Sequence, residues 1–273
     1  MEEVALVLAT SVGPIAAVLT LPDAEADAVM LIVPGIVRGG GGTRAGVNQV
    51  HVRIARAAAN HRVATLRADY AGMGESWDAD PHRRSAAVRD LARWACERTG
   101  DVPLLLVANC FGLSPALSVC RERPVAGVAM LLPPVLPARA LRPALAPRPS
   151  IRERFLTTLD GVRSVPRRIG YRVRYGPASH LWRWEQAEYL RPVEDLCELV
   201  SCTPTWMLMG SRDTCSEPVQ SLLPRLRGHG HVDVTVIAGL GLHAQSNLET
   251  QDAICDNVAD WVARSVTSRE PSA

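Results

Sequence analysis

Short runs rich in Val, Ile and Leu alternate along this chain with longer segments whose apolar residues recur at helical spacing, and that alternation constrains the fold more than any other feature. A run that is apolar throughout, with no polar alternation, suits a strand buried on both faces, and such a strand needs covering helices. The spacing predicts strands over 29–33, 63–68, 103–108, 125–132, 205–209 and 232–237, with helices over 47–60, 85–98, 113–123, 219–227 and 249–264. Ahead of them, 4–8 and 15–21 are joined by Ser11-Val12-Gly13-Pro14 and read as an antiparallel hairpin. The expected class is α/β, a mostly parallel sheet with helices on both faces. With 273 residues, 47% of them hydrophobic, the chain can fill one such sheet around a single core.

The rhythm breaks over 133–195, which opens on Pro133-Pro134-Val135-Leu136-Pro137 and is dense in Arg. A core of 1–132 and 196–273 with 133–195 inserted as a helical cap is therefore expected. From Arg139 to Arg191 the segment has 12 Arg against Glu153, Asp160, Glu185 and Glu188, a balance of +8; the whole chain carries +2, so its remainder carries −6. Phe155, Tyr171, Tyr175, Trp182, Trp184 and Tyr189 would give the cap an apolar underside. Two readings of the arginines stay open. They form a solvated helical face, or they receive an acidic partner through bidentate contacts to carboxylate or phosphate.

All 30 basic residues are Arg, so no lysine serves a P-loop, a Schiff base or a general base. A net charge of +2 excludes a strongly polybasic nucleic-acid binder. The seven cysteines are scattered, odd in number and lack a C-x-x-C pair, so neither a disulfide framework nor a zinc knuckle is indicated. His229-Gly230-His231 has no third ligand nearby, and Gly39-Gly40-Gly41-Gly42 lacks the lysine and helix start of a phosphate cradle. No metal and no cofactor are expected. No run of 18 apolar residues occurs and Met1-Glu2-Glu3 lacks a basic leader, so the expectation is a cytoplasmic protein with no membrane or nucleic-acid partner.

The chemistry concentrates where the apolar run ending in Val107-Ala108 meets a helical segment at once: Ala108-Asn109-Cys110-Phe111-Gly112. A tight strand-to-helix elbow needs small residues two before and two after its apex, and Ala108 and Gly112 supply them around Cys110. A helix starting there favours a thiolate and an oxyanion. Cys110 taken alone reads equally as a small buried apolar residue at a strand end. Two further residues change that balance. Asp213 follows the 205–209 strand in Gly210-Ser211-Arg212-Asp213, and His243 follows the 232–237 strand in Gly239-Leu240-Gly241-Leu242-His243. Nucleophile, acid and histidine thus occur in order, each at a strand end.

These motifs resemble the α/β-hydrolase superfamily over nearly the whole chain. The turn Asp69-Tyr70-Ala71-Gly72-Met73-Gly74-Glu75-Ser76 also matches its fourth-strand turn and is read as structural, with no catalytic role for Asp69. The closest resemblance is to the exosortase-associated hydrolases, which share Cys at the elbow and an Asp-Tyr-x-Gly-Met-Gly turn. Dienelactone hydrolases also use Cys, but with glycines around it that this elbow lacks. The resemblance implies an acyl enzyme with Cys110 as nucleophile, His243 as base and Asp213 as orienting acid. It also implies an oxyanion hole from the N–H of Phe111 and that of Ile36 or Val37. Pro34 stands where the family has His. The expected function is hydrolysis of an ester or thioester. Transfer of the acyl group to an amine or alcohol, and a non-catalytic scaffold, remain as alternatives. The expected partner is a small acyl substrate, free or borne by a carrier protein or coenzyme A.

Overall fold

The computed structural model describes residues 1–35, 44–46, 49–76, 78–80, 83–100, 102–135, 192–242 and 247–267. Its strands are β1 (Glu2–Thr10), β2 (Gly13–Leu21), β3 (Ala28–Val33), β4 (Val63–Ala68), β5 (Leu104–Asn109), β6 (Gly127–Leu131), β7 (Thr205–Gly210) and β8 (Val232–Ile237). Its helices are α1 (Val50–Ala59), α2 (Arg84–Thr99), α3 (Leu113–Glu122), α4 (Pro192–Cys202), α5 (Ser216–Arg227) and α6 (Leu248–Thr267). The strands form one eight-stranded sheet in the order β1-β2-β4-β3-β5-β6-β7-β8. The hairpin β1–β2 is antiparallel and joins β4 antiparallel, and every later pairing is parallel. This is the α/β class the sequence predicts.

Every residue of β3, β4, β5, β6 and β7 is buried, which explains why their sequences lack polar alternation. Alternate side chains still serve two cores. Val29, Leu31 and Val33 pack with α2, α3, α4 and α5, whereas Met30 and Ile32 pack with α1 and α6 on the other face. Burying each such side chain contributes about 1.5–3 kcal/mol, so the double-sided central strands dominate the stability of the fold.

Several limits differ from the sequence reading: α1 begins at Val50 rather than 47, and α6 runs to Thr267 rather than 264. Helix α5 begins at Ser216 rather than 219, because Pro218 falls in the first turn, where its missing N–H costs nothing. Strand β6 is confined to Gly127–Leu131. Helix α4 was not expected at all, and it starts within the segment assigned to the cap; Leu196, Cys197, Leu199 and Val200 bury it in the main core. The rest of that segment, 136–191, lies outside the described residues, and so does the cap expectation that falls on it.

The strand order also locates a crevice. From β3 the chain moves to β4 on one side and then to β5 on the other, so the topology reverses between β3 and β5. Loops leaving the carboxyl ends of strands at such a point diverge and open a binding crevice. Gly35 lies just beyond β3, and Cys110 directly follows β5.

Candidate active site

At the end of β5 the backbone turns from Asn109, extended at φ −99° and ψ 123°, into a single 3-10 turn, Cys110–Gly112, that runs straight into α3. Cys110 itself has φ +46°, the left-handed region that side chains rarely adopt. Such strain costs on the order of 1–3 kcal/mol and persists only where the surroundings impose it. Here the surroundings are glycine contacts. A Cβ on Gly112 would fall 2.7 Å from the carbonyl oxygen of Val33, and one on Gly35 would fall 2.5 Å from that of Asn109 and 3.2 Å from the Cys110 Cβ. The elbow is wedged against the end of β3, and Cys110 is 8% exposed. Phe111, whose N–H is one expected oxyanion donor, is half-buried in the same turn.

Asp213 sits in the turn after β7, 7% exposed. Its Oδ2 accepts the N–H of Gly210 at 2.6 Å, and its own N–H donates to the Gly210 carbonyl at 3.0 Å, so the carboxylate is held by the turn that carries it. The loop after β8 is tied to the same turn: Arg212 N–H donates to Leu240 at 2.9 Å, and Gly239 N–H donates to Ser211 Oγ at 2.9 Å. Leu242, fully buried, shares a cluster with Cys110, Leu132, Trp206 and Leu208. His243, the next residue, lies outside the described residues, as do Ile36 and Val37.

The structure adds two residues that sequence reasoning passed over. Cys215 is buried at the start of α5, and burial pushes its thiol up to about 12, with nearby Asp213 and Cys110 adding to the effect. The Cys215 thiol is therefore protonated at neutral pH. Asn109, just before Cys110, is 3% exposed, and its Oδ1 has no hydrogen-bond partner among the described residues. No sequence pattern singled out Cys215. Asn109 was visible only as the variable position of the elbow.

The glycine-spaced turn after β4 has a structural part. Asp69, 2% exposed, accepts the N–H of Arg44 at 2.7 Å, its guanidinium at 2.6 Å and the N–H of Glu75 at 2.8 Å. Arg44 also reaches Glu75 at 2.6 Å. A Cβ on Gly74 would fall 2.3 Å from the Asp69 carboxylate, so that position excludes other residues. Elsewhere, His231 and Asp233 form an exposed pair at 3.8 Å. Among the described residues no group of three or more His, Cys, Asp or Glu is placed to hold a metal ion, and no helix is long and apolar enough to cross a membrane.

Comparison with solved structures gives this geometry a context. A highly thermostable carboxyl esterase from Bacillus coagulans superposes with a TM-score of 0.66 at 12% identity, covering 97% of this chain and 99% of the other. An α/β serine hydrolase without lid from Xanthomonas campestris does so with 0.60 at 15%, covering 100% and 97%. The chain has the α/β-hydrolase fold. An esterase domain from a Rhodothermus marinus protein is similar across the same α/β-hydrolase scaffold, with a TM-score of 0.62 at 18% identity and 97% and 100% coverage. No protein-family model matches the chain, and no curated protein matches it. Likeness at these identities establishes a scaffold, and the activity on an α/β-hydrolase scaffold is decided by its site.

Proposed function

We propose that this protein is a cysteine-dependent acyl enzyme that cleaves an ester or thioester through a thioester intermediate on Cys110. The observation that carries the reading is the left-handed conformation of Cys110, φ +46°, at a buried strand-to-helix elbow beside the topological switch point. A non-glycine residue held there by close glycine contacts is a cost that a purely structural elbow avoids by using glycine.

In this reading His243 takes the proton of Cys110 Sγ, and Asp213 orients the imidazole and stabilises its charged form. Strands β5 and β7 are separated by β6, so their axes lie about 10 Å apart at the usual strand spacing. An imidazole hydrogen-bonded on both nitrogens suits a gap of that order between Cys110 and Asp213. The thiolate attacks the acyl carbonyl, and the oxyanion is met by the N–H of Phe111 and one from Ile36 or Val37. Collapse expels the alcohol or thiol, which leaves with the proton carried by His243. Water then attacks the Cys110 thioester and releases the acid. A thioester keeps more acyl-transfer potential than an oxygen ester, so an amine or alcohol can replace water in that last step. The Arg-rich 139–191 segment is proposed to receive the acidic carrier of the acyl group.

The test is a rapid-mixing measurement of thiol release from an acyl thioester. The reading expects a burst of about one thiol per enzyme followed by slower turnover, and an added amine or alcohol should accelerate only the slow phase. Thiol release with no burst and no dependence on Cys110 would overturn it.

A further inference from the structure

We propose that Cys120 and Cys202, distant from the candidate active site, form a redox-active pair that an oxidised low-molecular-weight thiol such as glutathione disulfide closes to an intramolecular disulfide. Cys120 lies half-buried in the last turn of α3, and Cys202 is the exposed last residue of α4. Two contacts hold these helix ends together close to the two thiols. Arg121 donates through Nε and Nη2 to the two carboxylate oxygens of Glu198, at 2.6 and 2.7 Å. Thr203 Oγ1 donates to the carbonyl of Val125 at 2.8 Å. Leu117, Leu196, Leu199 and Val200 belong to the apolar core beneath them.

The helical repeat then places Cys202. It lies four residues after Glu198, hence on the same face of α4, the face that meets Arg121. Cys120, half-buried one position before Arg121 in the last turn of α3, lies three residues after the buried Leu117 and so on the inward side of that helix. The electrostatics agree with this placement. Burial is the main cause pushing the Cys120 thiol up to about 12, and Cys202 adds to it. Arg121 is raised mainly by its hydrogen bond to Glu198, and Cys202 again contributes.

The exchange proceeds in two displacements. The exposed Cys202 thiolate attacks one sulfur of glutathione disulfide, forming a mixed disulfide and releasing one glutathione. The Cys120 thiolate then attacks Cys202 Sγ and expels the second glutathione. Two electrons pass to glutathione disulfide, and the two protons lost by the cysteines end on the two released thiols. Because Cys120 holds its proton tightly, closure is the slow step and accelerates as pH rises. The bond would tie α4 to the helix that begins at the Cys110 elbow, closing a chain loop that contains the whole 136–191 segment.

The experiment uses the full chain carrying Cys110→Ala, which removes the proposed nucleophile as a competing thiolate, treated with glutathione disulfide and followed by intact mass and by alkylation of cysteines in denaturant. The expected course is a transient single glutathione adduct, then loss of two hydrogen atoms, leaving four of the six remaining cysteines alkylatable. Peptide mapping should join Cys120 to Cys202, and the closed protein should melt several degrees higher, since a long loop is constrained in the unfolded chain. Cys120→Ser should stop at a stable adduct on Cys202, and Cys202→Ser, at an exposed position, should show neither step. Closure that survives when either Cys120 or Cys202 is replaced, or an adduct that never closes at raised pH when both are present, overturns the proposal.

Discussion

Gly35 stands so close to the elbow that a Cβ on it would lie 3.2 Å from the Cys110 Cβ and 2.5 Å from the Asn109 carbonyl oxygen. The nearer atom is backbone and cannot rotate aside, so Gly35→Ala has to move the end of β3 or the elbow itself. The expected cost is about 1–3 kcal/mol of stability, as for other overpacked sites. Turnover should fall further than stability alone accounts for, because both sides of the expected oxyanion hole meet at this contact. Thermal unfolding and kcat on the same preparation check it.

The φ of +46° at Cys110 makes a prediction independent of chemistry. In ordinary helix or strand positions Gly is less stable than Ala by roughly 0.5–1 kcal/mol. At this position the order should invert, with Cys110→Gly about 1 kcal/mol more stable than Cys110→Ala. Urea unfolding of both variants measures the difference. Both should be inactive, and Cys110→Ser should be much weaker than the wild type, since an alcohol needs stronger base assistance than a thiol.

Asp213→Asn keeps an oxygen to accept the Gly210 N–H, so the turn after β7 should survive. Catalysis should not. By analogy with the serine triad the loss in turnover approaches 10⁴, smaller to the extent that the thiolate forms unaided. Glu217, the nearest other carboxylate in sequence, is exposed on the first turn of α5, and Glu217→Gln should leave turnover unchanged. A loss below about tenfold in Asp213→Asn would assign the acid elsewhere.

Strands 63–68 and 232–237 have the same limits in sequence and structure, because polar or turn-forming neighbours bound a run of strand-forming residues on both sides. Helix α4 escaped notice because it begins inside a segment set apart by its charge. Its own signals were present: Pro192 at the first helical position, then Glu194 and Asp195 in the first turn, where the helix dipole favours acids. The order of Cys110 and Asp213 at strand ends was legible, since parallel strands deliver their carboxyl ends to one edge. The burial of Cys215 was not, because nothing local to residue 215 encodes what packs over the first turn of α5. The ties from Arg44 to Asp69 and from Gly35 to Asn109 are likewise products of strand order, which brings β3 between β4 and β5.

If the 12 arginines between Arg139 and Arg191 steer an acidic carrier, the apparent second-order rate constant for a carrier-bound acyl thioester should fall steeply with added salt. A small uncharged thioester should respond little. Parallel, flat responses for both would leave those arginines as a solvated face.

Intact-mass measurement of the protein after brief exposure to a panel of acyl thioesters tests the central claim most directly. The account predicts a mass gain of one acyl group, mapped to Cys110 in the wild type, absent in Cys110→Ala and prolonged in Asp213→Asn. Turnover of these substrates with no adduct on Cys110, or an adduct that persists in Cys110→Ala, would contradict it.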